Sequence, residues 1–303
     1  MLDSTFANTR LLPSGLLCLF GLVLISAVAA DEEAPQGITG ETTHAPADFF
    51  ADWFAISDAA KESQPHWMTP LVTVTPRLEQ EYRYDQSWQT RAGGVALDNY
   101  DSGKGLEFIP TSNTEIIVGV PAYEVKATPK GNTYGCADET VLGKYRFIAA
   151  NEAQGNYIVT GFLGLSFPSG NEAFTAGKGI VTPTIAAGKG WGTRATGVNI
   201  QSTLGVAIPM ADKQVIGIPI NWNTSLQAHI FGKLWPEIEA NYTAYKDGEH
   251  AGKEQLALTA GIIMGRFELG PRARLILGAG YQWPVSSFRI FDETWLATLR
   301  LAW

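Results

Sequence analysis

Between Ile218 and Ile230 the chain switches face at nearly every residue. Ile218, Ile220, Trp222, Leu226, Ala228 and Ile230 hold one parity; Asn221, Asn223, Ser225, Gln227 and His229 hold the other. Successive side chains of an extended strand point to opposite faces, so this run predicts one apolar and one polar face. Arg272 to Trp283 repeats the pattern, with Leu275, Leu277, Ala279, Tyr281 and Trp283 against Arg272, Arg274 and Gln282. Leu71 to Tyr84 does so too, with Val72, Val74, Leu78, Tyr82 and Tyr84 opposite Thr73, Thr75, Arg77, Glu79, Glu81 and Arg83. Strands of soluble sheets commonly run to about 5–6 residues. A membrane strand needs ~9–11, apolar towards lipid and polar towards the lumen. Length therefore favours a transmembrane barrel over a soluble sandwich.

Alternating segments are expected near 70–85, 103–111, 114–125, 139–150, 155–167, 180–189, 197–208, 216–231, 234–246, 254–267, 271–284 and 293–303, about twelve in all. Short turns are expected at 111–113, 232–233 and 269–271. Longer polar loops are expected near 86–102, 125–138, 168–179, 246–253 and 285–292. The fold class is all-β: an antiparallel up-and-down barrel of about 12 strands with a short N-terminal helical segment.

Three stretches are expected to precede or organise that barrel. Residues 1–30 carry Arg10, an apolar run from Leu16 to Val28 and the small residues Ala27 to Ala30 before Asp31. That is the layout of a secretory signal peptide cleaved after Ala29 or Ala30. Residues 31–67 form an N-terminal periplasmic or plug segment, in which Phe49, Phe50, Trp53, Phe54 and Ile56 predict an amphipathic helix over 47–61 that either plugs the barrel or lies against it. The barrel is expected over 68–303. Export leaves Cys136 without an internal partner, so no disulfide framework arises.

If parity is read correctly, the lumen receives Arg77, Glu79, Glu81, Arg83, Glu107, Glu115, Lys144, Arg146, His229, Glu237, Glu239, Arg272, Arg274 and Arg300. A charge facing lipid costs ~2–4 kcal/mol at the midplane, which drives these groups inward. They predict either a charged constriction or a salt-bridged filling. Tyr82, Tyr84, Tyr281, Trp283, Trp295 and Trp303 are expected in the interfacial girdles, and the C-terminal alternation ending in Trp303 reads as an assembly signal.

Several classes are excluded. The net charge of -8 argues against a nucleic-acid partner. Four scattered His and one exported Cys show no ligand spacing, so no metal or cofactor is expected. No Gly-x-Ser-x-Gly elbow appears and His229 faces inward, so no catalytic residue is assigned and the chain is not expected to be an enzyme.

Particular motifs carry a resemblance over about 67–303: Leu78-Glu79-Gln80-Glu81-Tyr82-Arg83-Tyr84, Leu106-Glu107-Phe108-Ile109-Pro110, Gly143-Lys144-Tyr145-Arg146-Phe147, Leu165-Ser166-Phe167-Pro168-Ser169-Gly170 and Thr182-Pro183-Thr184-Ile185-Ala186. In these the chain resembles the outer-membrane transporters named after the meta-pathway of phenol degradation. The resemblance implies a channel of the outer membrane; the terminal strand ending in Trp303 looks like the signal read by the barrel-assembly machinery of Gram-negative bacteria, which with outer-membrane lipid is the expected partner. The resemblance also implies uptake of small aromatic or hydrophobic solutes, and it transfers no binding residue. The alternative is a structural or adhesion barrel with a filled lumen and functional outer loops.

Overall fold

The computed structural model describes residues 46–101 and 104–303. The expected signal peptide and the first part of the N-terminal segment lie outside the described residues.

Helix α1 occupies Pro46–Glu62, in place of the expected 47–61. The strands that follow are β1 (Glu81–Arg91), β2 (Val95–Tyr100), β3 (Gly105–Thr111), β4 (Thr114–Val118), β5 (Tyr123–Thr128), β6 (Gly131–Cys136), β7 (Glu139–Ala150) and β8 (Tyr157–Phe167). After them come β9 (Ile180–Gly192), β10 (Gly197–Val206), the two-residue β11 (Ile208–Pro209) and the short helix α2 (Lys213–Ile216). The chain ends through β12 (Pro219–His229), β13 (Leu234–Tyr245), β14 (Glu254–Glu268), β15 (Arg274–Pro284) and β16 (Glu293–Ala302).

Antiparallel pairing runs from β1 through β3, β4, β7, β8, β9, β10, β12, β13, β14 and β15 to β16, and β16 pairs back onto β1 from Glu81↔Ala302 to Thr90↔Glu293. The result is a closed antiparallel barrel of 12 strands. Closure pairs the first wall strand with the last, the condition for an all-strand structure in lipid.

Alternation is read out as burial. Along β10 and β12 the inward Asn199, Gln201, Ser225, Gln227 and His229 are buried, while Val198, Ile200, Trp222 and Leu226 are exposed. Exposed aromatics gather at the two ends of the outer surface. Tyr145, Phe147, Trp191, Phe231 and Phe267 lie towards the short turns; Trp88, Tyr123, Tyr134, Phe167, Trp222 and Trp295 lie towards the longer loops.

Two expectations are corrected. The wall begins at Glu81, not near 70. Residues 63–80 fold into the lumen as an extended loop without strand pairing, and nearly all of Gln64–Gln80 is buried. The alternation there is real, because any extended chain alternates, but here both faces are enclosed. Pro70 and Pro76 each take one amide from this stretch, and the amides of Leu71, Val72 and Thr73 turn to wall side chains rather than to a neighbouring strand. The second correction concerns the expected loops at 86–102 and 125–138. The distal half of β1 leaves β3 and pairs with β2, which continues to β5 and β6 as a sheet extension on the loop side.

The changeover needs a break in the wall. Residue Gly105, at φ +73, permits the turn back into β3; a side chain there would run into the carbonyl of Val118.

Candidate functional site: a lumen occupied by residues 63–80

Helix α1 lies across the short-turn mouth. Trp53 donates its indole N–H to the Ile109 carbonyl (2.7 Å), Lys61 Nζ donates to the Trp303 carbonyl (2.8 Å), and Asp58 pairs with Arg272 (2.7 Å). Arg272 also sits over the Phe54 ring at 4.3 Å. From Ser63 the chain enters the lumen, turns, and leaves at Gln80 beside the start of β1. Gln64 ties its two arms together, donating to the Leu78 carbonyl (2.7 Å) and accepting the Leu78 amide (3.0 Å).

A loop inside a barrel must find partners for its own amides and carbonyls. The wall supplies them. Glu237 accepts the Leu71 amide (2.9 Å), and Glu239 accepts the amides of Val72 (2.8 Å) and Thr73 (2.6 Å). Glu115 accepts the Glu79 amide (2.6 Å). Carbonyls are met by cations: Arg300 donates to Thr69 (2.7 Å) and Pro70 (3.1 Å), Arg83 to Leu71 (2.8 Å), and Lys144 to Arg77 (3.1 Å). Arg266 donates to the carbonyls of His66 and Trp67, both at 2.9 Å. These charge-assisted bonds are individually stronger than neutral ones.

Packing complements the polar contacts. Trp67, Met68 and Leu71 join the inward Ile158, Trp235, Ile263 and Ile276 in one apolar cluster. Wall glycines make the room. A methyl on Gly188 or Gly190 would collide with the Trp67 indole, and one on Gly261 or Gly280 with the Leu71 side chain.

The residues expected to line the lumen divide by position. Arg77 and Glu79 are enclosed in the lumen, but they belong to the inserted loop rather than the wall and pair with each other at 2.6 Å. Glu81, Arg83, Glu107, Lys144, Glu237, Glu239 and Arg300 are buried on wall strands. Lys144 pairs with Glu115 at 2.9 Å, and Arg83 with Asp85 at 2.8 Å. Glu81 and Glu107 are register partners, as are Arg83 and Arg300, so like charges stand side by side. Arg146 serves the mouth, donating to the carbonyls of Ala60 (2.8 Å) and Ser112 (2.6 Å). His229 also lies at the turn end, bonded to the Thr193 carbonyl (2.7 Å) and stacked on Trp235. Arg272 precedes β15 and belongs to the rim; Arg274 is exposed there.

Of the aromatics expected in girdles, Tyr281, Trp283 and Trp295 form one contacting group near the loops, with centroids 5.7 Å and 4.8 Å from Tyr281. Tyr82 donates to Asp101 (3.0 Å) and Tyr84 to Gln86 (2.7 Å). Trp303 donates its amide to the Gln80 carbonyl (3.1 Å) and is held by Lys61 as well.

Sequence reasoning missed Arg266, Gln201 and Gln227. Arg266 stands at a bulge in β14 with φ 53, which breaks its parity. Gln201 accepts from Thr75 (2.7 Å) and donates to the Met68 carbonyl (2.9 Å). Only their inward parity marked the two glutamines.

The inserted loop separates two cavities. On the turn side a vestibule of about 640 Å³ is lined by α1, the inserted loop and the turns, with seven Lys or Arg and four Asp or Glu side chains. On the loop side a cavity of about 280 Å³, with mostly apolar walls, lies between the tip of the inserted loop at Val74 and the loop-side ends of β7, β8 and β9. At the mouth, His66 Nδ1 meets Glu152 at 2.8 Å, and the His66 amide donates to the same carboxylate at 2.7 Å. Burial acts to raise the Glu152 pKa, but the two His66 hydrogen bonds outweigh it and hold the carboxyl at about 2.

No family model matches the chain, and no curated protein matches it. Solved structures similar to it include the NanC porin, at 10% identity and a TM-score of 0.46 over 73% of this chain and 98% of that one. An outer-membrane channel from Pseudomonas putida F1 is similar at 12% identity and a TM-score of 0.45, over 74% and 94% of the two chains. OmpT, an outer membrane protein of Vibrio cholerae, follows at 9% identity and a TM-score of 0.33, over 74% and 95%.

Proposed function

We propose that this chain is an outer-membrane channel for small solutes, with residues 63–80 as the gate across its lumen. Its outward face is apolar between two aromatic belts, the arrangement that suits a bilayer. The observation that carries the gating reading is the way the lumen is filled. The wall holds a stretch of backbone outside any strand pairing through side-chain hydrogen bonds, with a cavity on either side of it. A filling meant only to stiffen the barrel would pair wall to wall, as Lys144–Glu115 does locally. The finer reading, uptake of aromatic or hydrophobic solutes, rests on the family resemblance and on the apolar walls of the loop-side cavity.

Planar-bilayer recording on protein folded in detergent tests the proposal. Expected are low-conductance openings that grow when Glu237 and Glu239 are both changed to Ala. If neither form conducts, the channel reading is rejected. The rival reading, a structural barrel, gains support from the completeness of the filling and predicts that null result.

A further inference from the structure

On the loop side of the gate the inner wall changes character. Parity carries Asn221 and Asn223 of β12 and Asn241, Thr243 and Tyr245 of β13 inward, on the face of the buried Ser225 and Glu239. Inward positions on the next two strands are Gln255, Ala257 and Thr259 of β14 and Gly280, Gln282 and Pro284 of β15. Apart from Tyr245, none of these side chains ionises, whereas the wall that grips the gate relies on Glu, Lys and Arg.

The wall itself fixes how these amides point. Thr243 donates to Asn221 Oδ1 (2.9 Å), and Asn241 Nδ2 donates to Asn223 Oδ1 (3.3 Å). Gln282 Nε2 donates to Asn241 Oδ1 (2.9 Å) and Thr259 Oγ1 (3.1 Å), and Thr259 donates to the same Asn241 oxygen (3.0 Å). Those bonds leave Asn221 Nδ2, Asn223 Nδ2 and Gln282 Oε1 over, two donors and an acceptor without a protein partner. All three residues are half-buried, and the three free atoms remain open to solvent. Rungs two residues apart on a strand stand ~6.8 Å apart, comparable to the span of one sugar ring's hydroxyls. At the rim the column ends in Tyr245, its ring set at 77° to His250 and 79° to Phe288.

An ion brought against this column would shed water and meet no counter-charge, which is unfavourable. A hydroxyl both gives and takes a hydrogen bond, so a solute with several of them can use the free donors and the acceptor together. We infer that the inner face of β12, β13 and β15 binds a neutral polyhydroxylated solute, a mono- or disaccharide, on Asn221, Asn223 and Gln282. The column descends from Tyr245 to Glu239, so a bound sugar stands directly before the gate. Only its onward passage rests on the channel reading. The solute class is separate from the aromatic or hydrophobic one, whose apolar cavity lies on β7, β8 and β9.

The test uses the full processed chain folded in lauryldimethylamine oxide, which has no sugar headgroup, and reads saturation-transfer NMR. Glycerol, methyl β-D-glucopyranoside and sucrose are the probes, and at least one of the two sugars is expected to bind saturably. The glucoside's uronate, which carries a carboxylate, should bind about tenfold or more weakly. Benzyl alcohol, neutral with a single hydroxyl, should not displace a bound sugar. Changing Asn221→Leu together with Asn223→Leu should weaken sugar binding about tenfold or more while keeping the heat-shifted gel mobility of the folded barrel. The inference is overturned if neither sugar binds the wild type, if the double variant binds undiminished, if the uronate binds equally well, or if benzyl alcohol displaces the sugar. Conductance of the wild type without ligand is recorded separately. A conducting barrel that binds no sugar loses this site and keeps the channel reading; a silent barrel that binds one does the reverse.

Discussion

The carboxylate of Glu239 on β13 accepts the main-chain amide of Thr73 at 2.6 Å, and its second oxygen accepts the neighbouring Val72 amide at 2.8 Å. One wall side chain thus holds two consecutive peptide groups of a segment about 166 residues earlier in the chain. Glu237, two positions away on the same face, takes the Leu71 amide. Inward parity alone sets both glutamates over the inserted loop, in a geometry a receptor could use for a bound peptide.

Removing that grip should loosen the loop without opening the barrel. In Glu239→Ala two buried amides lose their acceptor, at ~1–3 kcal/mol each. The expected outcome is faster hydrogen exchange confined to 71–73 and a higher open probability in bilayers, with the barrel strands still protected. Exchange unchanged at 71–73 would count against the seat.

A larger side chain at the floor of the seat should act in the same direction. Gly280→Val places methyls where the Leu71 side chain lies. Protease cleavage within 63–80 should rise at least severalfold in folded protein. Gly280 pairs with Leu296 of β16, one strand from the closing seam, but valine removes none of the main-chain bonds between β16 and β1, so the heat-shifted gel mobility should persist.

The Lys144–Glu115 pair is fully enclosed, and each partner also serves the loop. Lys144→Met strands a buried carboxylate, a loss of ~3–5 kcal/mol for breaking such a pair. Replacing both partners, as Lys144→Met with Glu115→Leu, should cost less than the single change. Urea unfolding of the wild type, Lys144→Met, Glu115→Leu and the double variant in detergent gives the comparison; equal losses in single and double variants would refute the pairing as the cause.

The His66–Glu152 contact sets a pH dependence at the mouth. The folded-state pKa of Glu152 is depressed to about 2, against about 4.3 for a free Glu. A depressed carboxylate contributes fully above its unfolded value and loses that contribution as pH falls towards its folded one. Anchoring of residues 63–66 should therefore hold at neutral pH and weaken between about pH 4 and 2. Proteolysis by pepsin at graded acid pH should show cleavage near 63–66 rising through that window. In Glu152→Gln cleavage should be high throughout; a profile identical to wild type would remove the latch.

The alternating parity of the chain determined the strands, the apolar outer face and the inward direction of Glu237, Glu239, Lys144 and Arg300. Each of those follows from the two-residue period of a strand, which a single segment carries without help from the rest. The same period could not separate a wall strand from an enclosed extended loop, so Leu71–Gln80 read as wall. Only tertiary structure decided that, because the acceptors for its amides lie on β4 and β13, far along the chain. Likewise Arg266 turned inward through a bulge, and Gly188, Gly190, Gly261 and Gly280 became a seat only once Trp67 and Leu71 were laid upon them. A local pattern fixes which way a side chain faces. What it meets there depends on which distant segment fills the space.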